Sequence, residues 1–440
     1  MKGLIIAAGE GRRIKSLRGD SPKPLIRLLG LTLIERVILS AKEAGISEFI
    51  IVIGYKGEDI KNHLGGGEEY GVKITYIENE EWEEGNGVSV VKARSILKDE
   101  PFLLLMADHI FDSSIIETML KVKKRSDECL VAIDSSPRYI DLSEATKVKI
   151  DRKKIVDIGK NLEVYDAVDC GIFLMSPVIF EALEESIRGG DDSLAGGLRF
   201  LASKKLVRYI DVKNTFWIDV DTEEDYKRAE RELLRRLTKP TDGPVSRYLN
   251  RPLSTRLSKY LVETRIPPTL ISIISFLLSF PAAYLFCASS YISVVLAGLL
   301  AQFSSILDGI DGEIARLKHR KSTYGAWLDS CLDRYSDAII IFGMTYGWWL
   351  QHDYKELTLI IGFIALIGSF MNSYTSIRYD SLIEKHNMKM VHIGRDVRIL
   401  LIMIGALFNQ ILLTLLVLAI FTNLETIRRL IVVPLIYPSN

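Results

Sequence analysis

Up to about residue 234, short apolar runs rich in β-branched residues alternate with stretches whose apolar positions recur at helical spacing. The runs at 3–7, 48–53, 73–77, 102–106 and 130–133 predict strands, and 31–44 and 88–97 predict helices between them. This alternation predicts an α/β domain on a mostly parallel, doubly wound sheet. Beyond about Arg265 the pattern changes. Apolar stretches near 269–287, 292–307, 335–350 and 357–379 approach the roughly 20 residues needed to cross a bilayer. The stretch 398–421 is apolar apart from Asn409-Gln410, which divides it into two further spans. The expectation is a Rossmann-like, mixed-sheet domain followed by an all-α membrane domain of six transmembrane helices. Turn residues at 238–244 mark the boundary, giving a soluble domain at 1–237, a linker with an amphipathic juxtamembrane helix at 238–265, and a membrane domain at 266–440. In the juxtamembrane stretch Arg247, Arg251, Arg256, Lys259 and Arg265 interleave with Leu249, Leu253, Leu257 and Leu261, a pattern suited to a helix lying on an anionic lipid surface.

Charge refines this picture. With six spans and a cytoplasmic start, the outer loops at 288–291, 351–356 and 409–410 carry a single Lys or Arg, Lys355, whereas the opposite loops hold Arg316, Lys318, Arg320, Lys321, Lys385, Lys389 and Arg395. The positive-inside rule therefore predicts a multi-pass protein of the cell membrane with its soluble domain in the cytoplasm. Over the 440 residues, 56 Lys+Arg balance 56 Asp+Glu, so the basic surplus of a nucleic-acid binder is missing and no nucleic-acid partner is expected. Cys129, Cys170, Cys287 and Cys331 show no paired spacing, which argues against a disulfide framework or a zinc site.

The densest chemistry lies where helices two and three meet the cytoplasm. Asp308 and Asp311 are three apart and Asp329 and Asp333 four apart, so each pair shares one helix face and the pairs can converge across a helix contact. Carboxylates at membrane depth are costly unless they meet a cation or water, and hard oxygen ligands in such number suit Mg²⁺, Mn²⁺ or Ca²⁺. Helix-end carboxylates paired with nearby Lys and Arg are the plain alternative; the long fixed spacing argues against it. Asp308-Gly-Ile-Asp311-Gly312-Glu-Ile-Ala315-Arg316, followed by Gly325, Asp329 and Asp333, resembles the CDP-alcohol phosphotransferase signature D-x2-D-G-x2-A-R-x8-G-x3-D-x3-D at every specified position. The resemblance covers 247 to 440 and implies a homodimer of six-helix units. It further implies that Asp308, Asp311 and Asp329 ligate metal, that Asp333 adjoins the metal and deprotonates the acceptor hydroxyl, and that Gly312, Ala315, Arg316 and Gly325 line the CDP site. Arg378, Arg395 and Arg398, at cytoplasmic ends of later helices, are candidates for binding a phosphate on the acceptor, with lipid anchoring as the alternative.

In the soluble domain a strand runs into Ala8-Gly9-Glu10-Gly11-Arg12-Arg13, and Pro22-Lys23-Pro24-Leu25 follows. Gly9 and Gly11 let backbone N–H groups approach phosphates, while Arg13 and Lys23 add charge. A dinucleotide fingerprint would need glycine where Ile14 stands, and a P-loop would need G-K-[ST]; neither is present. Asp108 follows the buried run at 102–107, and Asp219 lies in Trp217-Ile-Asp219-Val-Asp221-Thr222. Together these features resemble the nucleotidyltransferases that activate sugar phosphates, over about 1–234. That resemblance implies that Gly9, Gly11, Arg13 and Lys23 hold the triphosphate, with Lys23 catalytic, that Asp108 and Asp219 hold Mg²⁺, and that Gly85-Asn86-Gly87 adjoins the nucleoside. Lys160 would contact the phosphorylated substrate. The family shows glycine where Asp221 stands, which leaves open whether Asp221 joins the metal.

A consumer of CDP-alcohols downstream makes CTP the logical donor upstream. The combined architecture resembles the bifunctional enzymes that join an inositol-1-phosphate cytidylyltransferase to a di-myo-inositol phosphate phosphate synthase, implying CTP, inositol-1-phosphate and CDP-inositol as ligands. A fused phospholipid synthase with another CDP-alcohol and a lipid acceptor is the alternative. A transporter would show repeats and polar residues at the midplane, whereas here the acids cluster at helix ends.

Overall fold

Strands 2–7, 48–53 and 102–106 place consecutive residues on opposite faces of one sheet, and their buried side chains divide between two apolar layers with that period. In the computed structural model, which describes residues 1–138, 140–239, 242–288, 290–386 and 394–436, Ile5, Ile51, Leu103 and Leu105 join one apolar layer. Leu4, Ile50, Val52 and Leu104 join the other. A sheet buried on both faces needs helices on both, which is why these strands read as continuous apolar runs. The chain forms two compact units, Met1–Glu232 and Leu233–Asn440.

The first unit holds a nine-stranded sheet in the order Lys73–Glu78, Glu48–Ile53, Lys2–Ala7, Phe102–Met106, Ala167–Met175, Cys129–Asp134, Val207–Asp211, Lys154–Gly159 and Lys147–Asp151. The first four run parallel. Ala167–Met175 is antiparallel to both of its central neighbours, so the sheet is mixed. A separate ribbon pairs His109–Phe111 with Trp217–Asp219 and sets Asp219 opposite His109. The helix Leu33–Glu43 starts with a capping box: the Glu35 amide donates to Thr32 Oγ1 at 3.3 Å and the Thr32 amide to Glu35 at 2.5 Å. The expected helix at 88–97 is two short ones, Asn86–Lys92 and Arg94–Leu97.

The second unit is helical. The juxtamembrane helix occupies Arg251–Leu261. Pro268–Cys287, Tyr291–Leu317, Lys355–Ser376 and Ile411–Val432 are long and apolar enough to cross a membrane. The first of these breaks at Leu278 into Pro268–Leu277 and Ser279–Cys287, as Pro281 lacks the N–H that would bond four residues back. Of the other two expected spans, Thr323–Gln351 is 29 residues long but carries Asp329, Asp333, Arg334 and Asp337 in its first half. Arg395–Leu407 has 13 residues, about 20 Å of helix against a hydrocarbon core of about 30 Å. Asn409, with φ 53°, separates it from Ile411–Ile436. Four spans thus stand on length and composition. Residues 240–241 of the expected linker, Ser289, Lys389, and the side chains of Arg378 and Lys385 lie outside the described residues.

Candidate active sites

In the first unit the parallel strands Lys2–Ala7 and Phe102–Met106 are neighbours, so the glycine loop and Asp108 emerge side by side at their carboxyl ends. Gly11 adopts φ +68°, and a Cβ there would lie 2.6 Å from Lys23 Cβ; glycine is what lets Lys23 pass beneath the loop. Lys23 is buried, with Nζ 2.5 Å from both Asp108 and Asp221 and 3.9 Å from Asp219. Arg13 reaches Asp221 at 2.6 Å and Glu144 at 3.1 Å. A cavity of about 430 Å³ is bounded by Gly9, Gly11, Arg13, Lys23, Trp82 and Asp108. A second, of about 560 Å³, is lined by Asn86, Lys160, Asp169, Asp191, Arg199 and Asp219. The two share Arg13, Asp108 and Asp221.

Asp108, Asp219 and His109 bring ligand atoms within 4.8 Å of one another. Burial opposes the charge on Asp108, but Lys23 and His109 outweigh it and hold the carboxyl well below the ordinary range. Asp219 goes the other way: burial, with Asp108 and Asp221 adding to it, lifts it to about 6 against the pull of His109 and Lys23. Its Oδ1 is buried without a hydrogen-bond partner. Crowded carboxylates with an unpartnered oxygen fit a divalent cation. His109, which the sequence reading did not single out, has Nδ1 2.8 Å from Asp108 and 3.7 Å from Asp219. Burial lowers its pKa, yet those two carboxylates bring it up to about 9. It braces the two aspartates, and Mg²⁺, a hard cation, favours the carboxylate oxygens as ligands. The carboxylate of Asp221 is taken up by Lys23 and Arg13, outside that trio.

The residues expected at the nucleoside and at the phosphorylated substrate are placed as follows. Asn86 lines the second cavity and its Oδ1 accepts from the Leu194 amide at 2.8 Å. Gly87 is buried, its N–H donates to Asp192 O at 3.0 Å, and a Cβ would lie 2.5 Å from that oxygen. Glycine at 87 is thus required by close packing against Asp192. Lys160 lines the second cavity, 3.9 Å from Glu144.

In the second unit, Asp308, Asp329 and Asp333 bring carboxylate oxygens within 4.8 Å of one another. Asp329 Oδ1 and Asp333 Oδ1 are buried without hydrogen bonds, and the Asp329 oxygen, which has no ion pair either among the described residues, fits a cation. Asp311 is outside this trio: it accepts from the Ser272 hydroxyl and the Gly312 amide. Arg395 Nη1 lies 3.0 Å from Asp308 and 2.5 Å from Asp333; the latter is a close ion pair whose oxygen is out of line with an N–H. Arg398, expected near an acceptor phosphate, is instead buried and bonded to Asp337 at 2.6 Å and Ser373 at 3.0 Å. Gly312 lies against Arg316, with Nη1 3.2 Å from where a Cβ would be. Arg316 donates to Leu237 O at 3.3 Å, and its Nε is buried without a partner. Ala315 is half-buried on the same turn, and the Gly325 amide donates to Ser322 Oγ at 2.9 Å, capping its helix.

Glu313, inside the motif at an unspecified position, is fully buried. It accepts from Arg251 at 2.7 Å and from Ser254 and Ser258 at 2.6 Å each, and Asp242 holds Arg251 from the other side at 2.9 Å. The juxtamembrane helix therefore turns these polar residues inward, onto the motif, and leaves Leu253 and Leu257 exposed.

Fold and carboxylate sites together define a nucleotidyltransferase joined to a CDP-alcohol transferase. Residues 2–236 match the nucleotidyl transferase family and 265–434 the CDP-alcohol phosphatidyltransferase family. The chain is 36% identical over 432 residues, 96% of each chain, to the "Bifunctional IPC transferase and DIPP synthase" of Aquifex aeolicus. It is 34% identical to the archaetidylinositol phosphate synthase of Pyrococcus horikoshii over 40% of this chain and 87% of that one. The solved inositol-1-phosphate CTP transferase of T. maritima is 26% identical, with a TM-score of 0.46 over 52% of this chain and 95% of that one. This chain belongs to the family of bifunctional IPC transferases and DIPP synthases.

Proposed function

We propose that the soluble half converts CTP and inositol-1-phosphate to CDP-inositol and pyrophosphate, and that the membrane half transfers the phosphoinositol group to a second inositol-1-phosphate, releasing CMP. The observation that carries this is one full-length likeness spanning both halves, joined to two carboxylate sites that each face cations. We assign the modules to 1–237, 238–265 and 266–440, in keeping with the family matches at 2–236 and 265–434.

In the first reaction an oxygen of the inositol phosphate attacks the α-phosphorus of CTP and pyrophosphate leaves. The loop amides near Gly9 and Gly11, with Arg13 and Lys23, hold the triphosphate, so the protein contributes position and charge rather than a covalent nucleophile. Lys160 and Asn86 line the adjoining cavity, where the cyclitol and the nucleoside meet the chain. In the second reaction Asp333 takes the proton of the acceptor hydroxyl, whose oxygen attacks the phosphorus bearing inositol, and CMP departs past Gly312, Ala315, Arg316 and Gly325. A divalent ion, Mg²⁺ at Asp108 and Asp219 and Mg²⁺, Mn²⁺ or Ca²⁺ at Asp308, Asp329 and Asp333 with Asp311 beside them, would supply neutralisation of the phosphates. Arg395 is poised for the acceptor's phosphate and Arg378 is assigned with it. Six spans, a homodimer and a cytoplasmic placement of both sites are part of the same proposal, supported by the charge asymmetry of the loops.

Likeness to an archaetidylinositol phosphate synthase over the membrane half favours a second reading, in which the acceptor is a lipid. Mass spectrometry of products from purified protein with CTP, Mg²⁺ and inositol-1-phosphate, with and without lipid, separates the two. A soluble product containing two inositols and two phosphates is expected. A product formed only with lipid, and soluble in organic solvent, would overturn the first reading.

A further inference from the structure

The family motif ends at Asp333, but the helix carries one more carboxylate on the same face. Asp329, Asp333 and Asp337 follow at intervals of four, one turn apart. Asp337 is buried, 4% exposed. Its Oδ1 accepts from Arg395 Nε at 3.1 Å, and its Oδ2 accepts from Arg398 Nη2 at 2.6 Å and from Ser369 Oγ at 2.9 Å. Three helices meet at this one side chain: Thr323–Gln351, Lys355–His386 and Arg395–Leu407.

We infer that Asp337 is a positioning residue that aims the Arg395 guanidinium at the acceptor's phosphate. This rests on the reading of Arg395 given above. A guanidinium is planar, so fixing Nε fixes the plane in which Nη1 and Nη2 lie. Here Asp337 holds Nε while Nη1 lies against Asp308 and Asp333. Nη2 then has its direction set, and among the described residues it has no hydrogen bond. Asp337 cannot swing away, because Arg398 and Ser369 occupy its second oxygen, and Ser373 holds Arg398 in turn. The burial of Arg398 thus has a use: it locks the carboxylate that orients the arginine beside the reacting groups. A lysine at 395 would have no fork to orient.

The test uses the full-length protein in detergent and follows CMP release with CDP-inositol and inositol-1-phosphate varied in turn. An unchanged elution volume and Tm in detergent, with the native KM for CDP-inositol, report a folded membrane half. For Asp337→Asn, the KM for inositol-1-phosphate should rise at least about tenfold, the scale of one charge-assisted hydrogen bond. The KM for CDP-inositol should stay within about twofold, and inhibition by inorganic phosphate should weaken in parallel. Asp337→Glu should recover part of the loss. An unchanged acceptor KM, or an equal rise in both KM values, overturns the inference. Arg395→Ala separates the two layers of the argument. If it raises the acceptor KM while Asp337→Asn does not, the positioning role is wrong and the acceptor reading survives; if it leaves the acceptor KM unchanged, the acceptor reading fails. Should Asp337→Asn not fold, Ser369→Ala removes only one of the three bonds, and a smaller selective rise of about two- to threefold is expected; none would overturn the inference.

Discussion

Replacing Lys23 by methionine deletes one charge and keeps most of the volume packed beneath Gly11. In the native protein Nζ sits 2.5 Å from Asp108 and Asp221 with the side chain 7% exposed, so solvent does little to screen the pair. Its removal leaves Asp108, Asp219 and Asp221 facing one another. Breaking a buried pair from one side costs about 3–5 kcal/mol, and the lower end is expected, because Arg13 still reaches Asp221 at 2.6 Å. That is a large share of a typical stability of about 5–15 kcal/mol, so the assay belongs well below the variant's own Tm. Catalysis should suffer separately. A preorganised cation facing the triphosphate contributes on the order of 10²–10³ in turnover, or about 2.7–4 kcal/mol. Pyrophosphate release from CTP and inositol-1-phosphate should thus fall at least about 10²-fold, while CMP release from supplied CDP-inositol stays within about twofold of the native rate. Pyrophosphate release within about threefold of native would show that Lys23 does not serve the triphosphate. Loss of both activities in a folded protein would refute the assignment of two separate sites.

Asp333→Asn keeps the size of the side chain but cannot accept a proton; transfer should fall at least about 10²-fold with CDP-inositol binding little changed, as measured by equilibrium dialysis. Binding lost along with turnover would show that Asp333 serves the metal alone and is not the base. Burial opposes the charge on Glu35, but His63, the Thr32 amide and the Tyr70 hydroxyl together bring it down to about 2 from an ordinary 4.5. A lowered folded-state pKa means stability that is present above about pH 4.5 and lost as pH falls toward 2. Glu35→Gln should therefore flatten the acid limb of a Tm-against-pH curve, and an unchanged limb would contradict the assignment. Gly171 has φ +70°, and a Cβ there would strike the His109 imidazole. Gly171→Ala should lower Tm and depress pyrophosphate release more than CMP release, because it displaces the brace between Asp108 and Asp219; equal losses would point to general destabilisation.

The strands and the membrane motif were legible because each is a local pattern: continuous apolar runs for a doubly covered sheet, and fixed intervals of three and four for carboxylates on one helix face. His109 was not, since its meaning comes from pairing with Trp217–Asp219, more than a hundred positions away in the chain. Its only local signal was adjacency to Asp108. Glu313 and Asp337 were hidden for a related reason. Both fall on the helices of the motif but outside its specified positions, and their partners, Arg251, Ser254, Ser258, Ser369 and Arg398, come from other helices. The packing need at Gly87 was not legible, because the backbone that approaches it, at Asp192, is more than a hundred positions away. The two remaining spans fall short for opposite reasons: one helix is long but charged by the motif it carries, the other apolar but short.

The inward turn of Arg251, Ser254 and Ser258 gives the juxtamembrane helix a mechanical role. Its inward grip is a buried carboxylate two residues from Asp311 and three from Arg316. Leu253 and Leu257, meanwhile, are exposed. A change in lateral pressure at the interface, felt by those leucines, would travel through three hydrogen bonds to the turn proposed to cradle CDP. The enzyme would then behave as a gauge of membrane packing: transfer should vary with acyl-chain length and order while cytidylyl transfer does not, and Glu313→Gln should blunt that response.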